Sequence, residues 1–268
     1  MVFQILKVCV FGSIMVASMT LHGQDPYPLK IRLSGPVGIY DALRWKNDWP
    51  GCKSEDGVEE GHASIIESSN IKWLRVTCQA NQIGPENGGV GWRRPIPATN
   101  RLELAYRVKF SDDFEFVKGG KLPGLCGGPE SVTGGNPANG VNGFSARFMW
   151  RADGRGEAYL YHVDQPDKFG ESIPFPDDFR FPRGKPVLLI MRIDMNEIEE
   201  SYGTFEAWVK QGDEDALKVV HRDNLRWRTA ESVQIDSLLF EVFHGGSDSS
   251  WAPKKSCSVD LADFQLLE

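Results

Sequence analysis

Apolar and polar residues alternate with a period of two along most of the chain, a pattern typical of β-strands whose two faces meet different surroundings. In the segment 102–110 the even positions are apolar, and in 144–151 they are Phe, Ala, Phe and Trp. Nearly continuous apolar runs at 187–191 and 237–243 indicate more fully buried strands. The strands predicted in this way cover residues 102–110, 144–151, 157–163, 187–191, 204–210, 237–243 and 258–266.

Turn signals separate these strands throughout the sequence. The chain has 28 glycines and 16 prolines, many of them in Pro-Gly and Gly-Gly pairs, which are common in the turns of β proteins. We expect helices only at residues 59–69 and 211–220. Many short strands with regular turns predict an all-β sandwich or jelly roll, and 268 residues suffice for one large domain of this class.

The N-terminal residues have the layout of a secretory signal peptide. Lys7 supplies a positive charge, residues 8–21 form a short apolar run, and residues 22–24 offer a cleavage zone. We therefore predict a signal peptide at 1–23 and a mature domain at 24–268. The chain is expected to be extracellular and free of the membrane once the signal is removed; the alternative is an uncleaved N-terminal anchor.

Four cysteines remain after this segment, an even number that fits an oxidising compartment. Disulfides among Cys52, Cys78, Cys126 and Cys257 are therefore expected, with three possible pairings that the sequence does not distinguish. The alternative is four buried free thiols. The absence of a Cys-x-x-Cys pair and of any other ligand cluster predicts no metal site.

The formal net charge of −7 argues against nucleic acid as a partner, because phosphate binding requires a basic surface. An acidic chain that binds a polyanion must concentrate its lysines and arginines in one groove.

One predicted hairpin places reactive side chains together. Residues 144–151 and 157–163 are joined by a short loop that contains glycine. Residues two apart in a strand share a face, so Ser145 and Arg147 should lie beside Tyr159 and Tyr161, opposite the apolar positions. This face would carry a guanidinium, a hydroxyl and two phenols.

These groups suit β-elimination on an acidic sugar. The reaction needs a base for the C5 proton of a uronate, an acid for the leaving oxygen, and positive charge near the carboxylate. Arg147 can bind a carboxylate with two parallel hydrogen bonds, and Lys121 can reach the same site from a glycine-flanked turn. Tyr159 or Tyr161 would act as acid or base if nearby cations lower its pKa from about 10. Tyrosines and arginines on a sheet face are, however, also common without any catalytic role.

Several segments together resemble polysaccharide lyase family 14, which includes alginate lyases, and fungal glucuronan lyases are similar in the same motifs. The resemblance rests on residues 120–125, 127–128, 144–151 and 159–161, with 74–76, 243–248 and 251–253. It implies a β-jelly roll and β-elimination of a 1,4-linked polyuronate, either alginate or glucuronan, without a cofactor. The functional lysine and arginine of the family fall on Lys121 and Arg147, its serine on Ser145, and its tyrosines on Tyr159 and Tyr161.

The residue roles implied by the resemblance leave choices open. We expect Lys121 and Arg147 to neutralise the carboxylate and a tyrosine to transfer the proton, with Lys121 as the alternative base. Gln82, Arg93 and His244 are further candidates for binding the substrate. The expected partner is an acidic polysaccharide bound by a monomer; the alternative function is a non-catalytic carbohydrate-binding jelly roll.

Overall fold

The computed structural model describes residues 27–268, and the predicted signal peptide at 1–23 lies outside the described residues. Strands dominate the described chain, together with two short α-helices and two 3-10 turns at Ala152–Gly154 and Ser249–Trp251. The elements in chain order are β1 (Leu29–Lys30), β2 (Gly38–Ile39), α1 (Ala42–Asp48), β3 (Ala63–Ser68), β4 (Ile71–Cys78), α2 (Pro85–Gly88), β5 (Gly89–Thr99), β6 (Arg101–Phe110), β7 (Gly119–Gly127), β8 (Phe144–Arg151), β9 (Gly156–Tyr161), β10 (Glu171–Pro174), β11 (Val187–Asp194), β12 (Gly203–Gln211), β13 (Leu217–Leu225), β14 (Ile235–His244) and β15 (Cys257–Leu267).

The strands form two antiparallel sheets. The nine-stranded sheet has the order β13-β12-β11-β6-β15-β4-β3-β2, and β1 also pairs with β15. The six-stranded sheet has the order β10-β9-β8-β7-β14-β5. Consecutive strands pair in β7–β10 and in β11–β13, whereas β14 with β5 and β15 with β4 and β6 join distant parts of the chain, and the predicted all-β sandwich is confirmed.

The space between the sheets holds the main apolar core. Strand β6 contributes its even positions, among them Leu104 and Tyr106, as the alternation predicts. The aromatic rings pack closely: Trp92 stacks on Phe240 with ring centroids 4.1 Å apart, and Trp49 meets the same ring edge-on at 4.9 Å. The opposite face of the six-stranded sheet points away from this core, and we call it the site face.

The two helices predicted from the sequence are wrong. Residues 63–68 form β3 and residues 217–225 form β13, while the seven-residue helix α1 begins after Asp41. The Asp41 carboxylate caps this helix by accepting a hydrogen bond from the Arg44 N–H at 3.0 Å. In β3 alternate residues are buried against β4, so pairing with a neighbouring strand decided the conformation there.

A bulge in β7 positions one edge of the site. The pairing with both β8 and β14 shifts register between Lys121 and Gly124. Leu122 enters the core, while the Pro123 carbonyl accepts a hydrogen bond from the Tyr106 hydroxyl at 2.9 Å. The extra residue in the bulge brings Lys121 and Gly124 onto the same face of the sheet.

The four cysteines described are free thiols, so the structure does not bear out the expected disulfides. Cys78 on β4 and Cys257 on β15 are nonetheless direct register partners, and their sulfurs are hydrogen bonded to each other. Within residues 27–268, no helix has the length and apolar character needed to cross a membrane.

Candidate active site

The β8–β9 hairpin places four of the predicted side chains side by side. Its register pairs Ser145 with Tyr161 and Arg147 with Tyr159, and all four lie on the site face. The two phenol rings meet edge-on with centroids 5.5 Å apart. Apart from Met149, the apolar residues of the same strands lie on the core side, as the alternation predicts.

Lys121 joins this group from the neighbouring strand. Its register partner on β8 is Met149, and the Lys121 Nζ lies 3.1 Å from the Met149 sulfur and 4.0 Å from the centre of the Tyr159 ring. A thioether and a ring face give an ammonium much weaker solvation than water does. Burial, reinforced by the positive charges of Arg147 and Arg151, therefore holds the pKa of Lys121 well below its ordinary value, although the charge of Glu241 opposes the shift.

Tyr159 shows the opposite behaviour. Burial raises the pKa of Tyr159 above its ordinary value. The charge of Tyr161 and a hydrogen bond between the two phenols add to the rise, and the nearby charge of Arg147 offsets only part of it. The condition that nearby cations lower this pKa is therefore not met at Tyr159, because desolvation outweighs them. Its phenol oxygen accepts a hydrogen bond from the Gly170 N–H at 3.1 Å.

Arg147 is held by other parts of the protein. Its guanidinium is fully buried, and its two terminal nitrogens donate to the Glu241 carboxylate and to the Thr133 hydroxyl. The expectation that Arg147 binds a substrate carboxylate with two parallel hydrogen bonds does not fit this arrangement. The guanidinium is instead fixed within the protein by Glu241 and Thr133.

A segment at residues 128–143, which we call the covering segment, packs over this part of the site face. The Ser145 hydroxyl donates to the Val132 carbonyl at 2.6 Å, and the Gly135 N–H donates to the Tyr161 hydroxyl at 3.1 Å. Val132 also joins a small apolar cluster with both tyrosines. Ser145 and Tyr161 thus hold the covering segment in place, and both are almost fully buried.

The remaining predicted residues come from other strands and turns. Arg93 on β5 is bonded to the Asp236 carboxylate at 2.7 Å and to the Gly128 carbonyl at 2.8 Å. It lines a cavity of about 220 Å³ that also contacts Ser145 and Glu241. Gln82 is exposed, in the turn before α2.

His244 does not lie on the site face, so its predicted position needs correction. It continues the core side of β14 with Phe240 and Val242, and its ring stacks on Phe114 with centroids 5.3 Å apart. The ring Nε2 lies 2.7 Å from the Glu115 carbonyl. Alternate residues of a strand share a face, so His244 points into the core like Phe240 and Val242. It therefore does not contact a substrate on the other face.

Sequence reasoning missed the acidic partners of the site. Glu241 on β14 binds Arg147, and Glu157 on β9 lies 2.7 Å from an Arg151 nitrogen. The alternation of β14 could have indicated Glu241. Glu241 follows the core residue Phe240 directly, so its side chain points to the opposite face of the sheet. Within residues 27–268 no cluster of His, Cys, Asp or Glu is arranged to hold a metal ion.

Comparison with known proteins identifies the class to which this fold and site belong. The polysaccharide lyase 14 family model matches residues 67–264, and the chain therefore belongs to this family and is a polysaccharide lyase. The resemblance seen in the sequence is thereby confirmed. A comparison with curated protein sequences found no match.

Solved structures agree in the fold. Alginate lyase Aly36B is 24% identical, with 91% of this chain and 97% of that chain covered at a TM-score of 0.78. The PL-14 alginate lyase from Aplysia kurodai is 24% identical, with 89% of this chain and 99% of that chain covered at a TM-score of 0.77. Alginate lyase vAL-1 from Chlorella virus is 22% identical, with 87% of this chain and 100% of that chain covered at a TM-score of 0.65. At these identities the similarity is one of fold.

Proposed function

We propose that this polysaccharide lyase is secreted and cleaves a 1,4-linked polyuronate by β-elimination, with alginate as the first substrate and glucuronan as the alternative. Family membership supports the reaction class. The three similar structures are alginate lyases, and Aly36B variants have been solved with alginate tri- and tetrasaccharides. The sequence of residues 1–23 supports secretion.

The contact between Lys121 and Tyr159 is the observation that carries the proposal. Their surroundings displace the two pKa values in opposite directions, down for the amine and up for the phenol. A neutral amine is a base and a protonated phenol is an acid, so both shifts favour the forms that elimination requires. This assignment favours Lys121 as the base over its expected role in neutralising the carboxylate.

The bonds that change follow from these roles. The Lys121 Nζ removes the C5 proton of the uronate, and the C5–H electrons form the C4–C5 double bond as the C4–O4 bond breaks. The Tyr159 hydroxyl gives its proton to the departing O4. The negative charge left on the phenol oxygen is stabilised by the Gly170 N–H, which already donates to that oxygen.

When Lys121 has taken the C5 proton it is a cation beside Arg147 and Arg151, and its positive charge then acts on the uronate carboxylate. Although the chain has a net charge of −7, Lys121, Arg147 and Arg151 lie close enough together for both arginines to lower the pKa of the lysine. In a partly desolvated site such a group lowers the free energy of the enolate-like transition state, in which charge spreads onto the carboxylate.

An absorbance assay for unsaturated uronate tests the proposal. The protein would be incubated separately with polymannuronate, polyguluronate and glucuronan, beside Tyr159→Phe and the matched control Tyr202→Phe, which changes an exposed tyrosine. We expect new ultraviolet absorbance on one polymer, a loss of about 100-fold or more in kcat for Tyr159→Phe, and no change for Tyr202→Phe.

Two outcomes would contradict parts of this proposal. Binding to a polymer without absorbance on any of the three would favour the non-catalytic carbohydrate-binding alternative. Absorbance that survives Tyr159→Phe would keep the lyase but remove Tyr159 as the acid. Secretion is tested by N-terminal sequencing of exported protein, where an intact Met1 would contradict cleavage near residue 23.

A further inference from the structure

The side chain of Arg147 crosses a neighbouring strand to reach Glu241. Arg147 lies on β8 and Glu241 on β14, and β7 runs between them, so the ion pair spans about two strand spacings, roughly 9.6 Å. The residue of β7 opposite Arg147 is Gly124, where a Cβ atom would lie 2.7 Å from the Arg147 Cβ. Glycine at this position leaves the room through which the guanidinium passes.

Each arginine of the site has its own glutamate. Arg147 pairs with Glu241, and Arg151 pairs with Glu157 at 2.7 Å. The charges of all four residues act on Lys121. The charges cancel within each ion pair, so the net charge of the five groups equals the charge of Lys121. This net charge is zero when the amine is a free base and +1 when the amine is protonated.

We propose that Glu241 is a positioning residue that holds the Arg147 guanidinium beneath the site face and keeps its charge from acting unopposed on the Lys121 amine. The proposal rests on the role of Lys121 as the base, stated above. Glu241 does this from outside the hairpin, on a strand that shares no direct pairing with β8.

The groups that act on Lys121 come from the two neighbouring strands β8 and β14 and from β9 beyond β8. Arg147 and Arg151 on β8 disfavour its charged form, while Glu241 on β14 and Glu157 on β9 favour it. The Tyr159 ring on β9 lies against its amine. Removal of the Glu241 charge would leave Arg147 unbalanced, so the pKa of Lys121 should fall still further.

The experiment compares Glu241→Gln with wild type in two measurements. The first is a titration of the Lys121 side chain by NMR with isotope-labelled lysine, assigned by the loss of its signal in Lys121→Met, and it needs no substrate. The second is the pH profile of kcat/KM. We expect Glu241→Gln to lower the pKa of Lys121, and with it the acid limb of the profile, by about one pH unit.

Glu103→Gln is the matched control. Glu103 is also a strand carboxylate paired with an arginine, at 2.8 Å from Arg192, but it lies in the nine-stranded sheet. Its replacement should leave the titration of Lys121 unchanged. Glu241→Asp keeps the charge but shortens the side chain, so it should lower kcat while moving the pKa of Lys121 by less than about 0.3 units, and it serves as the second variant if Glu241→Gln does not fold.

Three results would overturn the proposal: an unchanged pKa of Lys121 in Glu241→Gln, an equal change in Glu103→Gln, or a shift of a full unit in Glu241→Asp. A lower kcat in Glu241→Gln with an unmoved acid limb would indicate a purely structural role. If no polymer is cleaved by the wild type, the proposed function fails, but the titration of Lys121 still decides the role of Glu241.

Discussion

The protonation of His244 should make the fold sensitive to mild acid. The Nε2 of this ring donates to the Glu115 carbonyl at 2.7 Å, and its Nδ1 is buried without a hydrogen-bond partner. A proton added at Nδ1 would therefore place a charge in the core between the rings of Phe114 and Trp150. Burial accordingly lowers the pKa of His244 from 6.5 to about 4.

The direction and size of the effect follow from this shift. Between pH 6.5 and 4 the unfolded chain binds a proton at this position and the folded protein does not, so stability falls as the pH falls through that window. Above pH 6.5 the contribution is complete, and below pH 4 it is lost. A shift of about 2.5 units at 1.36 kcal/mol per unit corresponds to a loss of about 3 kcal/mol in the free energy of unfolding.

Urea unfolding of wild type and His244→Phe at pH 8, 6, 5 and 4 measures this contribution. The variant keeps an aromatic ring but loses the hydrogen bond to Glu115, so it should be less stable at pH 8 by about 1 to 3 kcal/mol. The difference between the two proteins should shrink towards pH 4 because only the wild type has the ring to protonate. His221→Phe, which changes an exposed histidine, should follow the wild-type curve.

The reasoning would be refuted if wild type and His244→Phe lost stability in parallel from pH 8 to pH 4. His162 does not confuse the comparison. Burial also lowers its pKa, with the same sign of pH dependence, but this residue is present in both proteins.

Two further predictions concern the backbone and the thiols. Gly124→Ala should lower the free energy of unfolding by about 1 to 3 kcal/mol, because the new Cβ would lie 2.0 Å from the Ala146 carbonyl oxygen; a thermal melt equal to that of wild type would contradict this. Incubation with oxidised glutathione should join Cys78 to Cys257 by thiol–disulfide exchange, since directly paired strand residues have the Cα separation that a disulfide needs. Intact-mass analysis should show the loss of two hydrogens, which Cys78→Ser should abolish; if the variant forms the same bond, the assignment is wrong.

The sequence predicted the hairpin well because its information is local. The alternation of β8 and β9 determines which residues share a face, and the register then pairs Arg147 with Tyr159. The same rule, applied to β14, would have placed His244 in the core and Glu241 on the site face. The nearly continuous apolar run at 237–243 hides this alternation, because it indicates a strand buried on both faces.

Other features of the site depend on contacts that no local pattern records. The covering segment packs over Tyr161, and its Thr133 hydroxyl accepts a hydrogen bond from one nitrogen of Arg147. This burial helps to reverse the expected direction of the pKa shift at Tyr159. Likewise, residues 217–225 become β13 because β12 offers them a partner, which a short polar sequence does not reveal.

The position of β15 has a consequence for how the chain acquires its structure. This strand lies between β4 and β6 in the nine-stranded sheet, yet it follows both of them at a long distance in the sequence. During synthesis, the edges of β4 and β6 that pair with β15 therefore stay unpaired until residues 257–267 leave the ribosome. Because these pairings also join distant parts of the chain, we expect slow folding, and removal of β15 should yield aggregation rather than a smaller stable domain.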